Sequence, residues 1–216
     1  MAAHTMEGEE SAAAAAQAGP RDAYGTSRLL AFSDGVFAIA ITLLVLSIPL
    51  PDLNPDAPDL NQQLIAALRN LLPFLAGFGL SFVLIGAHWI IHHRTLRGVA
   101  RPDSRLLWLN LLILLGICLV PFATSLLLHY GRAPAATIAY AALQVWISLT
   151  YLALRIYLAG RDGGTLPSLT LGLIQLAGFA ISIPVALVDV RAAYALWLAG
   201  VGAARVVEGR LRVSRG

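Results

Sequence analysis

The sequence predicts an all-α integral membrane protein, and three observations carry that class. Of 216 residues, 58% are hydrophobic and only 12% are charged, with a mean hydropathy of +0.74; a soluble domain carries about twice that charged share. The apolar residues run in blocks long enough to cross a bilayer, about 20 residues each as helix. Between the blocks stand short turns rich in proline, glycine and arginine, without the ten-residue alternating segments of a membrane barrel.

Taken in order, residues 1–26 are Ala-rich and acidic at Glu7, Glu9 and Glu10, and lack the basic-then-apolar pattern of a signal peptide. They read as a disordered cytoplasmic tail. A first helix is expected over 27–48, stopped by Pro49 and Pro51. A stiff acidic loop with Asp52, Asp56 and Asp59 follows. One long helix is expected over 62–93, kinked at Pro73, tilted or projecting from the bilayer. A basic hinge (Arg94, Arg97, Arg101, Arg105) leads to helices over 106–128, 135–158, 169–188 and 192–207. The six-helix membrane domain is thus 27–207, and 208–216 is a basic cytoplasmic tail. Gly77, Gly79, Gly86, Gly172 and Gly178 are positions where helices can approach closely.

All 15 basic residues are arginine, a usage that, with abundant alanine, leucine and glycine, suggests a GC-rich bacterial genome. In the six-helix plan only Arg69, Arg132 and Arg191 fall on one side and the remaining arginines share the other, so both termini are expected in the cytoplasm. The net charge of +3 sits in short loops between apolar blocks and is no nucleic-acid footprint. The single cysteine, Cys118, lies inside an apolar block and has no partner for an internal disulfide.

The first helix stands apart. On a helical wheel Ile39, Leu43, Leu46 and Leu50 share one narrow stripe, with Thr42 at its edge and Arg28, Phe32 and Gly35 continuing it toward the N-terminus. From pattern alone the stripe suits ordinary helix packing first; the sharper reading is a pore lined by copies of this helix around a symmetry axis, where apolar rings gate by dewetting and threonine hydroxyls replace lost hydration. Asp34 falls on the far side, at membrane depth, where an ionisable group needs a partner and marks a functional site by default. His88, Trp89, His92 and His93 lie toward the end of the second helix that meets it, with His88 and His92 four apart on one face. A His–Asp contact there would respond to pH. Trp89 and Trp108 read as interface anchors, and Gln144 and Gln175 as hydrogen-bonding groups between helices.

His88-x-x-x-His92-His93 resembles one histidine box of membrane di-iron desaturases and hydroxylases. That chemistry needs many imidazoles; the chain has five histidines, with His4 in the tail and His129 on the other side. An enzyme is therefore not expected, and neither is a cofactor. No phosphate loop, nucleophile–base set or pair of broken helices appears.

Arg28-x-x-x-Phe32-Ser33-Asp34, running on into Gly35-Val36-Phe37-Ala38-Ile39-Ala40-Ile41-Thr42-Leu43-Leu44-Val45-Leu46, is similar to the signature of the lysosomal potassium channel family of the transmembrane protein 175 type. The His88–His93 run resembles it as well. The resemblance implies a potassium-selective leak channel without a P-loop filter, in the plasma membrane of a bacterium. Bacterial members carry one six-helix unit and form homotetramers, so it implies four first helices around a central pore. It places the narrowest apolar ring five residues after the motif aspartate, at Ile39, with Thr42 or Leu43 and then Leu46 also lining. It assigns Arg28, Ser33 and Asp34 to a polar network with His88, Trp89 and His92 that holds the pore helix. Beyond lipids and permeant K+, no other partner is implied. The rival class is a secondary transporter or a proton-conducting membrane protein.

Overall fold

The computed structural model describes residues 20–97, 99, 101–162 and 170–200, and every regular element among them is helical. In chain order these are α1 (Pro20–Leu43), a single 3₁₀ turn (Leu44–Ser47), α2 (Leu60–Asn70), α3 (Leu72–Leu96), α4 (Ser104–Tyr130), α5 (Pro134–Asp162) and α6 (Thr170–Val188). A last helical stretch, α7, covers 190–200. The tails over 1–19 and 208–216, and the part of the last expected helix beyond 200, lie outside the described residues.

Among the described residues, four segments are long and apolar enough to cross a membrane: Gly25–Ser47, Leu72–Leu96, Ser104–Tyr130 and Pro134–Arg161. Gly172–Val188 is a shorter apolar helix. It is followed at Asp189 by a turn in which Asp189 Oδ1 accepts from the Arg191 amide at 2.8 Å, and α7 folds back on α6. Trp197 of α7 donates its indole N–H to Ser182 Oγ at 2.8 Å and packs with Phe179 and Tyr140 at centroid distances of 5.4 and 5.2 Å.

Two expectations change. The helix expected over 62–93 is two helices, α2 and α3, broken at Leu71. Pro73 sits in the first turn of α3, where its missing N–H removes nothing the helix could use. None of the residues of α2 is buried. α1 starts at Pro20, inside the stretch expected as tail, because its first turns have something to dock on: Thr26 Oγ1 donates to Val99 O at 3.0 Å, and Gly25 lies against Pro102, which a Cβ would meet at 3.4 Å.

The core has two parts. Leu29, Phe37, Ala40 and Leu44 of α1 and its 3₁₀ turn pack with Ile85 and Leu96 of α3, Ile113 and Ile117 of α4, and Ile147 and Leu154 of α5. Leu84, Ala123, Tyr140, Phe179 and Trp197 form a second cluster that joins α3 to α7. Of the glycines expected at close approaches, Gly77 fits, since a Cβ there would run into the Leu128 side chain. Gly79, Gly86 and Gly172 meet no neighbour within 4 Å among the described residues, so their lack of a side chain serves no helix contact there. Gly116 is the tight crossing that spacing did not single out: a Cβ would stand 2.6 Å from Ile147 Cγ1, and its absence lets α4 and α5 approach.

The hinge between α3 and α4 is clasped to α5. Asp103 caps α4 by accepting from the Leu106 amide at 2.9 Å, accepts the Tyr157 hydroxyl through its other oxygen, and meets Arg161 Nη1 at 3.5 Å. Arg161 also donates to Arg101 O at 3.1 Å. The Tyr157 hydroxyl first, then the Leu106 amide and Arg161, hold the Asp103 carboxyl below its ordinary value of 3.8. A depressed carboxylate lends stability that is complete above that ordinary value and is lost as pH falls through the folded one. Acidification below pH 3.8 should therefore lower the thermal midpoint of the wild type, while Asp103→Asn, measured in the same detergent series, should start lower and show a flatter response over that window.

Candidate functional site

α1 has two unlike faces. Leu29, Ser33, Phe37, Ala40 and Leu44 recur every three or four residues and are buried against the other helices. The opposite stripe is bare: Ile39 is 61% exposed, Leu43 45% and Leu46 75%. The helix tightens to 3₁₀ geometry at Leu44. Residues three apart eclipse in that geometry, so Leu46 stays in line with Leu43 despite the change of winding. Thr42 is exposed beside the stripe, and its hydroxyl donates to Ile39 O at 2.9 Å. The lone pairs of Thr42 Oγ1 are left outward as acceptors.

The buried face is pinned by a polar chain. Ser33 Oγ donates to Leu29 O at 2.9 Å and receives Asn110 Nδ2 at 3.2 Å. Asn110 Oδ1 accepts from His92 Nε2 at 2.7 Å, which places a proton on that nitrogen. The His92 ring packs on Phe37 at 5.3 Å and edge-on to Tyr151 at 6.2 Å. Ser33, His92 and Asn110 are all buried. One turn around the helix, Trp89 Nε1 donates to Asp34 Oδ1 at 2.8 Å. Trp89 stacks on His93 at 5.8 Å, and His93 Nε2 accepts from Arg97 Nη2 at 3.0 Å. Asp34 is thereby linked through an aromatic pair to the basic hinge.

The structure thus brings together Ser33, Asp34, Trp89 and His92 of the predicted set. It does not pair Asp34 with a histidine: the indole N–H of Trp89 takes its carboxylate, and His92 turns to Asn110. His88 stands apart, with Nε2 bonded to Gln144 Oε1 at 3.1 Å and its ring stacked on Tyr151 at 5.6 Å. Arg28 is exposed, and among the described residues it has no hydrogen-bond or ion-pair partner. Spacing missed Asn110, the central joint of the chain; its signal was a lone amide inside the apolar run Leu106–Leu119. No group of three or more metal-ligating side chains occurs among the described residues. Asn110→Ala should leave Ser33 and His92 without their buried partner, at a cost of about 1–3 kcal/mol, read as a lower thermal midpoint and faster exchange of the α1 amides.

Comparison with known proteins bears on the family and the fold. Residues 28–121, from α1 into α4, match the family model described as endosomal/lysosomal potassium channel TMEM175. A protein named as a potassium channel from Streptomyces collinus is 41% identical over 133 residues, 60% of this chain and 62% of the relative. One of the same description from Chamaesiphon minutus is 40% identical over 129 residues, 58% of this chain and 62% of the relative. The alignments therefore span less than two thirds of these relatives. The crystal structure of a lysosomal potassium-selective channel TMEM175 homolog from Chamaesiphon minutus superposes with a TM-score of 0.70 at 30% identity, covering 82% of this chain and 94% of that one.

Proposed function

The chain belongs to the endosomal/lysosomal potassium channel TMEM175 family, and on that premise we propose that it is a potassium-selective leak channel whose pore is lined by α1 from four copies. The observation that carries this reading is the bare Ile39–Leu43–Leu46 stripe on a helix whose other face is pinned by a buried polar chain. Brought to a fourfold axis, four stripes form stacked apolar collars, with Ile39 as the constriction and the Thr42 hydroxyl oxygens at the next level. An isoleucine collar offers no ligands, so a cation crosses it partly dehydrated, and the less strongly hydrated K+ passes more readily than Na+. The Thr42 oxygens, with their own proton turned to Ile39 O, replace some of the lost water.

Ser33, Asp34, Trp89, His92 and Asn110 form the anchor that fixes the rotation of α1, and Arg28 sits at the cytoplasmic end of the stripe. α6 and α7 complete six crossings, which puts both termini in the cytoplasm of a bacterial cell, with the arginine-rich hinge at the inner leaflet. Asp52, Asp56 and Asp59 then lie at the outer mouth, where exposed carboxylates raise the local cation concentration.

Reconstitution into liposomes with separate K+ and Na+ flux tests the reading. Linear, non-saturating flux favouring K+ is expected; saturable flux coupled to a second solute would mean a transporter. Ile39→Asn should raise flux and bring the two permeabilities together, and unchanged ratios would remove Ile39 from the constriction. Asp34→Ala should lower the yield of tetramer on a sizing column more than it changes the K+/Na+ ratio of whatever assembles.

A further inference from the structure

On α5 the polar side chains Tyr140, Gln144 and Tyr151 share a face and find partners on α3. Tyr140 OH lies 3.1 Å from Ser81 Oγ, Gln144 Oε1 accepts from His88 Nε2 at 3.1 Å, and Tyr151 OH donates to the carbonyl of His88 at 2.9 Å. Arg155 is the next member of this stripe, one turn past Tyr151, and it departs from the pattern. It is half-buried, its Nε is enclosed by protein, and none of its N–H donors meets an acceptor among the described residues. It lies inside the membrane-crossing segment Pro134–Arg161, about 10 Å short of the end of α5 at the helical rise.

An arginine at the border of a membrane helix ordinarily stretches its head into water and then serves topology alone. Arg155 reaches the surface only with its terminal nitrogens, while the root of the guanidinium is shut inside the bundle. A cation at that depth without a counter-charge is costly. The neighbouring charges do not supply one. Arg161 has Asp103 at 3.5 Å, and Arg97 donates to His93. Asp103 is taken by the Leu106 amide, the Tyr157 hydroxyl and Arg161, and Asp34 by the indole of Trp89. No carboxylate with a described side chain is left for Arg155.

The missing group is an anion with two oxygens for a planar fork, which a phosphate offers. The surroundings select its source. Leu149 and Ile156 are exposed and Leu152 is half-buried beside Arg155 on α5, and Leu152 and Leu149 lead from its level toward the membrane centre. A free phosphate has no use for such a flank, whereas an acyl chain hanging from a headgroup does.

We propose that Arg155 anchors a site for an anionic phospholipid, its guanidinium taking the phosphate and the Leu149–Leu152–Ile156 flank an acyl chain. The lipid supplies the negative charge that α5 lacks, and its binding to the folded bundle alone stabilises that bundle by mass action. Only the choice of leaflet, the inner one, rests on the cytoplasmic placement of the termini; the site does not depend on α1 lining a pore.

The full chain in a neutral detergent is titrated with dioleoyl phosphatidylglycerol, with dioleoyl phosphatidylcholine and with inorganic phosphate, and the thermal midpoint is followed. The wild-type midpoint should rise with phosphatidylglycerol and little with the other two, since choline cancels the lipid's charge and phosphate has no chain. Arg155→Gln should need about tenfold more phosphatidylglycerol for half the rise, or show none. Arg155→Lys keeps the charge without the fork and should fall between the two. Arg105→Gln, which removes an exposed charge from the same border, should respond like the wild type. An equal rise with phosphatidylcholine, or an unchanged response in Arg155→Gln, would overturn the proposal. An equal rise with inorganic phosphate would make the site one for free anions and overturn the lipid assignment. If Arg155→Gln does not assemble, Arg155→Lys decides, and a response equal to the wild type's would remove Arg155 from the site.

Discussion

The rotation of α1 about its own axis is the constraint on which the rest depends. A membrane helix with apolar residues on every side has no intrinsic reason to present one face rather than another, because lipid and protein are equally apolar. Two polar attachments about a hundred degrees apart remove that freedom. Ser33 is held to Asn110 and His92 inside the bundle, and Asp34 is held to Trp89 at its flank. Once both are made, the Ile39–Leu43–Leu46 stripe has one permitted direction, away from the protomer core. The wording of the motif follows from this: adjacent serine and aspartate point to different neighbours because successive helical residues do.

A second feature supports the first. The N-terminal end of α1 rests on the hinge through Thr26 and Val99, and the hinge is clasped to α5 by Asp103, Tyr157 and Arg161. α3 meets the same hinge through Arg97, which is linked through His93 and Trp89 to Asp34. Position and rotation of α1 are thus set at one end of the membrane, leaving the far half of the helix, with Ile39 and Leu46, held mainly by apolar packing of Phe37, Ala40 and Leu44.

Much of this was legible in the residues. Block hydropathy marked the four long apolar helices among the described residues, since the bilayer leaves a spanning chain few other options. Wheel angles alone separated the bare stripe of α1 from its packed side. The network was legible as a set of residue types, but not as pairs. An aspartate beside three histidines suggests an ion pair, whereas the indole of Trp89 reaches the carboxylate and the imidazole of His92 turns to an amide on another helix. Asn110 could not be found by spacing, because its partners are 18 and 77 residues away in sequence. The break at Leu71 was hidden by a proline that suits a helix start as well as a kink. The glycine at α4–α5, Gly116, looked no different from Gly79 and Gly86, because what distinguishes them is the neighbour and not the residue.

A pore stripe must face water, and a packing stripe must not. The most direct measurement is accessibility of a single cysteine at position 39. The one native thiol, Cys118, is first replaced in Cys118→Ala. Ile39→Cys in that background should react with a small, membrane-impermeant cationic thiol reagent, and the reaction should block K+ flux. A thiol at position 39 that ignores the charged reagent yet reacts with a lipid-soluble maleimide, with flux unchanged, would place the stripe in lipid and contradict the account.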